Sequence, residues 1–314
     1  MSTIEMAAGI DCGKRFLDVA VFATGDTIQV ANTPSGHQEL AAWLAHRGIT
    51  DVGIEASGGY ERPVRDALRA ASLSVRVFDP ARVRFYAKAM GRRAKNDTID
   101  AALIAAFTAS GAASTATPVD PTREELAGLV KARRLLVDKR GDLRRALISA
   151  PAAAKAALEE AIDALTEALT TLEAAIERTL ATVPVMAETV AALQTAPGVG
   201  PVVAIGLAAL LPELGHTTGR KVAALVGVAP FDHDSGQAHG RRRIGGGRPD
   251  VRRILYMAAA VAALHTTGVI ADHYAQLTKR GKPPKLALVA CMHKLIVRLN
   301  AMLAKGRTWE IKTA

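Results

Sequence analysis

Residues 8–32, AGIDCGKRFLDVAVFATGDTIQVAN, decide how the chain folds at its start. Ala8–Gly13 and Phe16–Ala23 are apolar and β-branched, and the break at Gly13-Lys14 predicts a hairpin between them. Thr27–Asn32 predicts a third short strand. Beyond these three the pattern alternates. Pro34–Arg47 has helical periodicity, with Leu40, Trp43 and Leu44 on one face. Asp51–Ala56 (DVGIEA) is a fourth strand, closed by Ser57-Gly58-Gly59. A helix follows from about Tyr60 to Ala71, and Ser74–Phe78 is a fifth strand ending at Pro80. From there to Ser110 the pattern is helical, interrupted near Gly91.

The order βββαβαβα, with three antiparallel strands before any crossover, predicts an RNase-H-like α/β domain over residues 1–112. A doubly wound dinucleotide-binding sheet opens instead on a strand–helix crossover. Gly111–Pro121 (GAASTATPVDP) reads as a linker. Arg123–Leu180 is nearly all helix. Leu158, Ile162, Leu165, Leu169, Leu172, Ile176 and Leu180 form a heptad seam in its second half. Ser149-Ala150-Pro151 marks the turn of a helical coiled-coil hairpin spanning 121–182, expected both to space domains and to assemble copies. Residues 184–314 are mainly α, basic, and interrupted twice by glycine-rich turns.

Hydrophobic residues make up 49% of the 314, but aromatics only 4%, so Ala and Leu must carry the packing, which favours helices. A net charge of +10 attracts polyanions. Two cysteines without a CxxC pair argue against a disulfide scaffold or structural zinc. The start, MSTIEMAAGID, has neither the basic nor the apolar region of a signal peptide. Thr195–Leu214, the longest apolar run, is punctured by Pro197, Gly198, Gly200, Pro201, Gly206 and Pro212, which argues against a membrane span. The expectation is a soluble, cytoplasmic bacterial protein, associated with the nucleoid and not with membranes.

Four acids stand out by position. Asp11 ends the first strand, Glu55 ends the fourth, and Asp97 and Asp100 lie one helical turn apart. Carboxylates converging from three elements repel unless neutralised, and hard oxygen ligands suit Mg²⁺ or Mn²⁺. Two such ions about 4 Å apart activate the nucleophile and stabilise the leaving oxygen in phosphoryl transfer. Beside them runs an unmixed basic stretch, Arg82, Arg84, Lys88, Arg92, Arg93 and Lys95, suited to a phosphate backbone. In TAPGVGP, Gly198 and Gly200 precede an apolar helix, as in a helix-hairpin-helix element whose backbone N–H groups hold a phosphate; a tight packing turn is the alternative. Residues 229–257, APFDHDSGQAHGRRRIGGGRPDVRRILYM, place Arg241, Arg242, Arg243, Arg248, Arg252 and Arg253 around a triple glycine. Ser235 sits ahead of them in Asp-Ser-Gly, a setting that by spacing alone is usually a turn.

Together IDCGKRFLDVAV, IEASGGYERP, RAKNDTIDA, PGVGPVVA and APFDHDSG…RRRIGGGRPDVRRILYMAA resemble the DEDD transposases of the IS110 insertion-sequence family, relatives of the Piv DNA invertases. The resemblance runs in order along nearly the whole chain. It implies a RuvC-like domain in which Asp11, Glu55, Asp97 and Asp100 bind metal, a coiled-coil segment, and a transposase domain whose Ser235 attacks DNA. It further implies a non-coding bridge RNA that pairs with donor and target DNA. Dimers to tetramers are also implied, with domains of different protomers forming a composite site. Other readings are a hydrolytic junction resolvase using the acids alone, a non-catalytic nucleic-acid scaffold, and an actin-like ATPase. The last lacks a second phosphate loop.

Overall fold

The computed structural model describes residues 6–91, 97–111, 120–231 and 243–309. They belong to two compact units, Met1–Pro118 and Val119–Ala314.

The first unit opens on β1 (Ala7–Cys12), β2 (Phe16–Val21) and β3 (Thr27–Ala31). It continues through α1 (Pro34–His46), β4 (Asp51–Glu55), α2 (Glu61–Ala70), β5 (Ser74–Phe78), α3 (Pro80–Ala89) and α4 (Asp97–Ala109). The sheet order is β3-β2-β1-β4-β5. The hairpin pairs are antiparallel, and β1–β4 and β4–β5 are parallel. Such a mixed sheet is consistent with the RNase-H-like α/β class anticipated from the strand order.

Alternation along β1 sends Ala8, Ile10 and Cys12 to one face, where they share a core with Leu40, Leu44, Val64 and Leu68 of α1 and α2. The opposite face presents Gly9 and Gly53, partners in register. A Cβ on Gly9 would sit 2.1 Å from the Ala105 amide nitrogen, and one on Gly53 1.9 Å from the Thr108 hydroxyl. Only glycine lets α4 lie that close to the sheet. Arg76 donates to the Thr108 carbonyl at 2.9 Å and pairs with Asp51, the first residue of β4. The end of α4 is thereby tied to the amino end of β4, and its start is turned toward the carboxyl ends of the strands.

The second unit holds α5 (Pro121–Ser149), α6 (Ala152–Ala181), α7 (Pro184–Gln194), α8 (Pro201–Leu210) and α9 (Gly219–Val226). After a two-stranded stem, β6 (Pro230–Phe231) and β7 (Arg243–Ile244), come α10 (Pro249–Leu264), α11 (Val269–Lys279) and α12 (Pro284–Ala304). Arg133 pairs with Glu173 and Arg140 bonds Thr166, so α5 and α6 run antiparallel. On α6 the seam buries Ile162, Leu169 and Ile176, one per heptad, while Leu158, Leu165, Leu172 and Leu180 are half-buried. Leu126 and Ile176 join a helical core containing Leu193, Leu207, Leu255 and Leu295. Ala204, Ala258 and Ala262 in that core allow the close helix approach that a chain poor in aromatics needs. Among the described residues α12 is the one unbroken helix long and apolar enough to cross a bilayer, with mean hydropathy 1.6. Half of that stretch is buried in the protein, as in a core helix.

Candidate active site

Asp11 and Glu55 stand at the carboxyl ends of adjacent parallel strands, one residue beyond the Ile10–Ile54 pair. Strand alternation puts both on the Gly9–Gly53 face, beneath α4. Asp100 precedes Ala101, whose carbonyl oxygen would lie 2.3 Å from a Cβ on Gly9. Three elements thus bring carboxylates toward one end of the sheet. Asp97 begins α4, and its side chain lies outside the described residues. A further acid escaped the sequence reading: Asp18 is the register partner of Asp11 and accepts from Gln29 Nε2 at 2.8 Å. This all-oxygen donor chemistry fits a hard divalent cation. Among the described residues, no three Asp, Glu, His or Cys groups are gathered closely enough to hold an ion.

The loops behind the acids are fixed by residues that sequence patterning did not single out. Glu61 folds back to accept from Ser57 N at 3.0 Å, Ser57 Oγ at 3.1 Å and Gly59 N at 2.8 Å. Burial would raise its pKa, but these bonds and its own amide outweigh that and hold the carboxyl below its ordinary range. Asn32 Nδ2 donates to Gly13 O at 3.0 Å and to Tyr60 O at 3.2 Å, joining the turn after Asp11 to the loop after Glu55. With both amide protons used, Asn32 Oδ1 faces His37 Nε2 at 2.7 Å, so His37 is the donor there. Burial lowers the His37 pKa and keeps the ring neutral. Next to Asp11, the Cys12 thiol is pushed up to about 12 by burial, then by Asp11 and Glu61, so it is no nucleophile at neutral pH.

On α3, Arg82, Arg84 and Lys88 are exposed and share the helix with Phe85, an aromatic ring 68% exposed. Arg82 also lies 5.7 Å from the Phe107 ring. Arg92, Arg93 and Lys95 lie outside the described residues. In the second unit Gly198 adopts φ +76°, and a Cβ there would meet Ala258 O at 2.3 Å, so this glycine is fixed by packing against α10. Gly200 has open space around it and caps α8. Arg248 makes a bidentate pair with Glu213, at 2.6 and 2.7 Å. Arg252 donates to Gly246 O at 2.7 Å, and Arg253 to Asp138 at 2.9 Å. These three guanidiniums hold the glycine loop and the start of α10 in place. Ser235, Arg241, Arg242 and the Arg243 side chain lie outside the described residues.

Comparison with known proteins bears on both units. A DEDD transposase model of the IS110 type, described as "Transposase", matches residues 8–150. A second, described as "Transposase IS116/IS110/IS902 family", matches residues 190–275. The chain belongs to the IS110 family of transposases. It is also 26% identical to the pilin gene-inverting protein of Moraxella bovis, over 96% of this chain and 97% of that one. The Moraxella lacunata pilin gene-inverting protein is likewise 26% identical, with the same coverage. The first IS110 match spans Asp11, Glu55, Asp97 and Asp100, and the second spans Ser235 and the arginine group. A DNA-cleaving recombinase is the activity that membership implies.

Proposed function

We propose that this IS110 transposase cuts and rejoins DNA of its insertion element through a serine–phosphate intermediate, guided by a bridge RNA. The observation that carries the reading is the placement of Asp11 and Glu55 level on adjacent strands beneath α4, which brings Asp100. Residues 1–112 then form a RuvC-like cutting domain, 121–182 the spacer hairpin, and 184–314 a DNA-binding domain with a helix-hairpin-helix-like turn. Asp11, Glu55, Asp97 and Asp100 would hold Mg²⁺ or Mn²⁺. A bound divalent ion offsets the carboxylate charge and stabilises charge developing on a phosphate. The Ser235 hydroxyl loses its proton as its oxygen bonds phosphorus and the phosphate–sugar oxygen bond breaks, and the released sugar oxygen takes up a proton, so none is gained or lost overall. Attack by the sugar hydroxyl of a second strand reverses the step and frees the serine. Each phosphodiester energy is conserved, so rejoining needs no ATP; attack by water would discard it. Arg241, Arg242 and Arg243 offset the phosphate charge. Arg82, Arg84, Lys88, Arg92, Arg93 and Lys95 contact backbone phosphates. A soluble, nucleoid-associated oligomer is the cellular form we propose.

Denaturing electrophoresis of labelled DNA incubated with the protein tests this. Wild type should give a covalent adduct that maps to Ser235, and Ser235→Ala should bind DNA without one. Asp11→Ala and Glu55→Ala should each abolish both adduct and recombination. An adduct on another residue, or full recombination by Ser235→Ala, would remove the serine step.

A further inference from the structure

Between Asp272 and Glu310 the sequence contains eight Lys or Arg and no Asp or Glu, so it carries eight of the chain's ten net positive charges. This stretch covers most of α11 and all of α12. The second family match ends at residue 275, ahead of nearly all of it. Three of these eight cations, Lys282, Lys294 and Arg298, line one groove. One face of α12, Leu286, Val289, His293, Lys294 and Val297, recurs at helical spacing and lines an open groove of about 1020 Å³. The opposite face, with Leu288, Cys291, Leu295 and Leu299, is buried in the helical core. Lys282 and His273 line the groove from the α11 side. Val228, Pro230 and Ile244 line it at the β6–β7 stem. Among the described residues lining it there is no acid. Arg298 is held in place by the Trp309 ring, 4.9 Å away.

We propose that this groove is a DNA-binding site, in which Lys282, Lys294 and Arg298 contact successive phosphates of the strand presented to Ser235. The assignment rests on the serine reading above, because β6 and β7 are the flanks of the segment that contains Ser235. Charge complementarity selects the occupant. Cations of one sign along a groove suit a ligand with evenly repeated anions, whereas a protein partner brings mixed signs. The apolar floor of Leu286, 55% exposed, with Val289 and Val297 gives the sugars of the strand a surface to cover. Burial, then Lys294 and Lys282, lowers the His273 pKa, which favours its neutral ring near neutral pH.

The test uses the full chain and a short fluorescein-labelled DNA duplex, with affinity measured across a salt series. Each lost phosphate contact flattens the log–log salt slope by about 0.9. The triple variant Lys282→Gln, Lys294→Gln, Arg298→Gln should therefore flatten it by roughly 2.7 with its melting temperature retained. Lys282→Gln alone, at an exposed turn, should flatten it by about 0.9. Lys155→Gln, exposed at the start of α6, should leave the slope unchanged. An unchanged slope in the triple variant overturns the proposal. So does a loss confined to a labelled RNA hairpin, which would assign the groove to RNA. A wild-type chain that forms no Ser235 adduct would remove the serine reading, while the slope would still report on the groove.

Discussion

Asn32 shows how a residue with no reactive group can decide whether reactive groups line up. Its amide joins the turn after Asp11 to the loop after Glu55, and the neutral His37 ring holds the amide in that orientation. Asn32→Ala removes both tethers. A shift of about 1 Å at a reacting centre costs about 100-fold in rate, so recombination should fall on that scale with DNA affinity retained. A variant that loses affinity and keeps its rate when saturated would show that Asn32 supports binding instead. Glu61 gives a pH signature. Its folded pKa is depressed, so its contribution to stability is present above its unfolded pKa and is lost as pH falls through the folded value. Glu61→Gln should cost about 1–3 kcal/mol near neutrality in urea unfolding, and the gap to wild type should close below about pH 4. A gap independent of pH would assign the loss to shape. The strand-end placing of Asp11 and Glu55 was legible in sequence because alternation along β1 and β4 could be read. Asn32, His37, Glu61 and Asp18 were not, since their partners are set by register and loop return, which no local pattern encodes.

At the scale of elements, spacing was legible and partners were not. The heptad seam on α6 was plain in the sequence, but a stripe does not say whose helix it meets. Here it meets α5 of the same chain, and positions seven apart take the buried places. Leu169→Ala should cost about 2–5 kcal/mol, and half-buried Leu165→Ala clearly less. Equal losses would mean that Leu165 is covered in solution, as in an assembly through this face. Outward on α5, Leu135 is 55% and Ile148 84% exposed, so these are the apolar positions of the hairpin open to a second copy. The Gly-x-Gly turn divides in the same way. Gly198→Ala puts a side chain at φ +76° against the Ala258 carbonyl and should cost about 2–4 kcal/mol. Gly200→Ala meets open space and should stay within about 0.5 kcal/mol. Urea unfolding of both variants checks this, and equal losses would contradict the packing role of Gly198. The sequence marked both glycines alike, because only the neighbouring α10 distinguishes them.

For the whole molecule, charge and chemistry are divided between the two units. The first carries Asp11, Glu55 and Asp100 around its sheet, and the second carries Ser235 and most of the positive excess. The proposed mechanism needs an acid set and a serine at one phosphate, and either one chain supplies both or two chains share the task. Mixing two dead variants decides between these. Asp11→Ala retains the serine, and Ser235→Ala retains the acids. If every site draws both groups from one chain, no site in the mixture is complete and recombination stays at the level of either variant alone. If a site takes its acids from one protomer and its serine from another, random assembly completes about a quarter of sites in an equal mixture. Recombination and adduct should then reappear together, with every adduct on the Asp11→Ala chain, because that chain alone carries Ser235. Mass-tagging one variant makes the assignment direct on a denaturing gel. Silence after the variants have been unfolded and refolded together, with mixed assemblies confirmed, would place both groups within one chain.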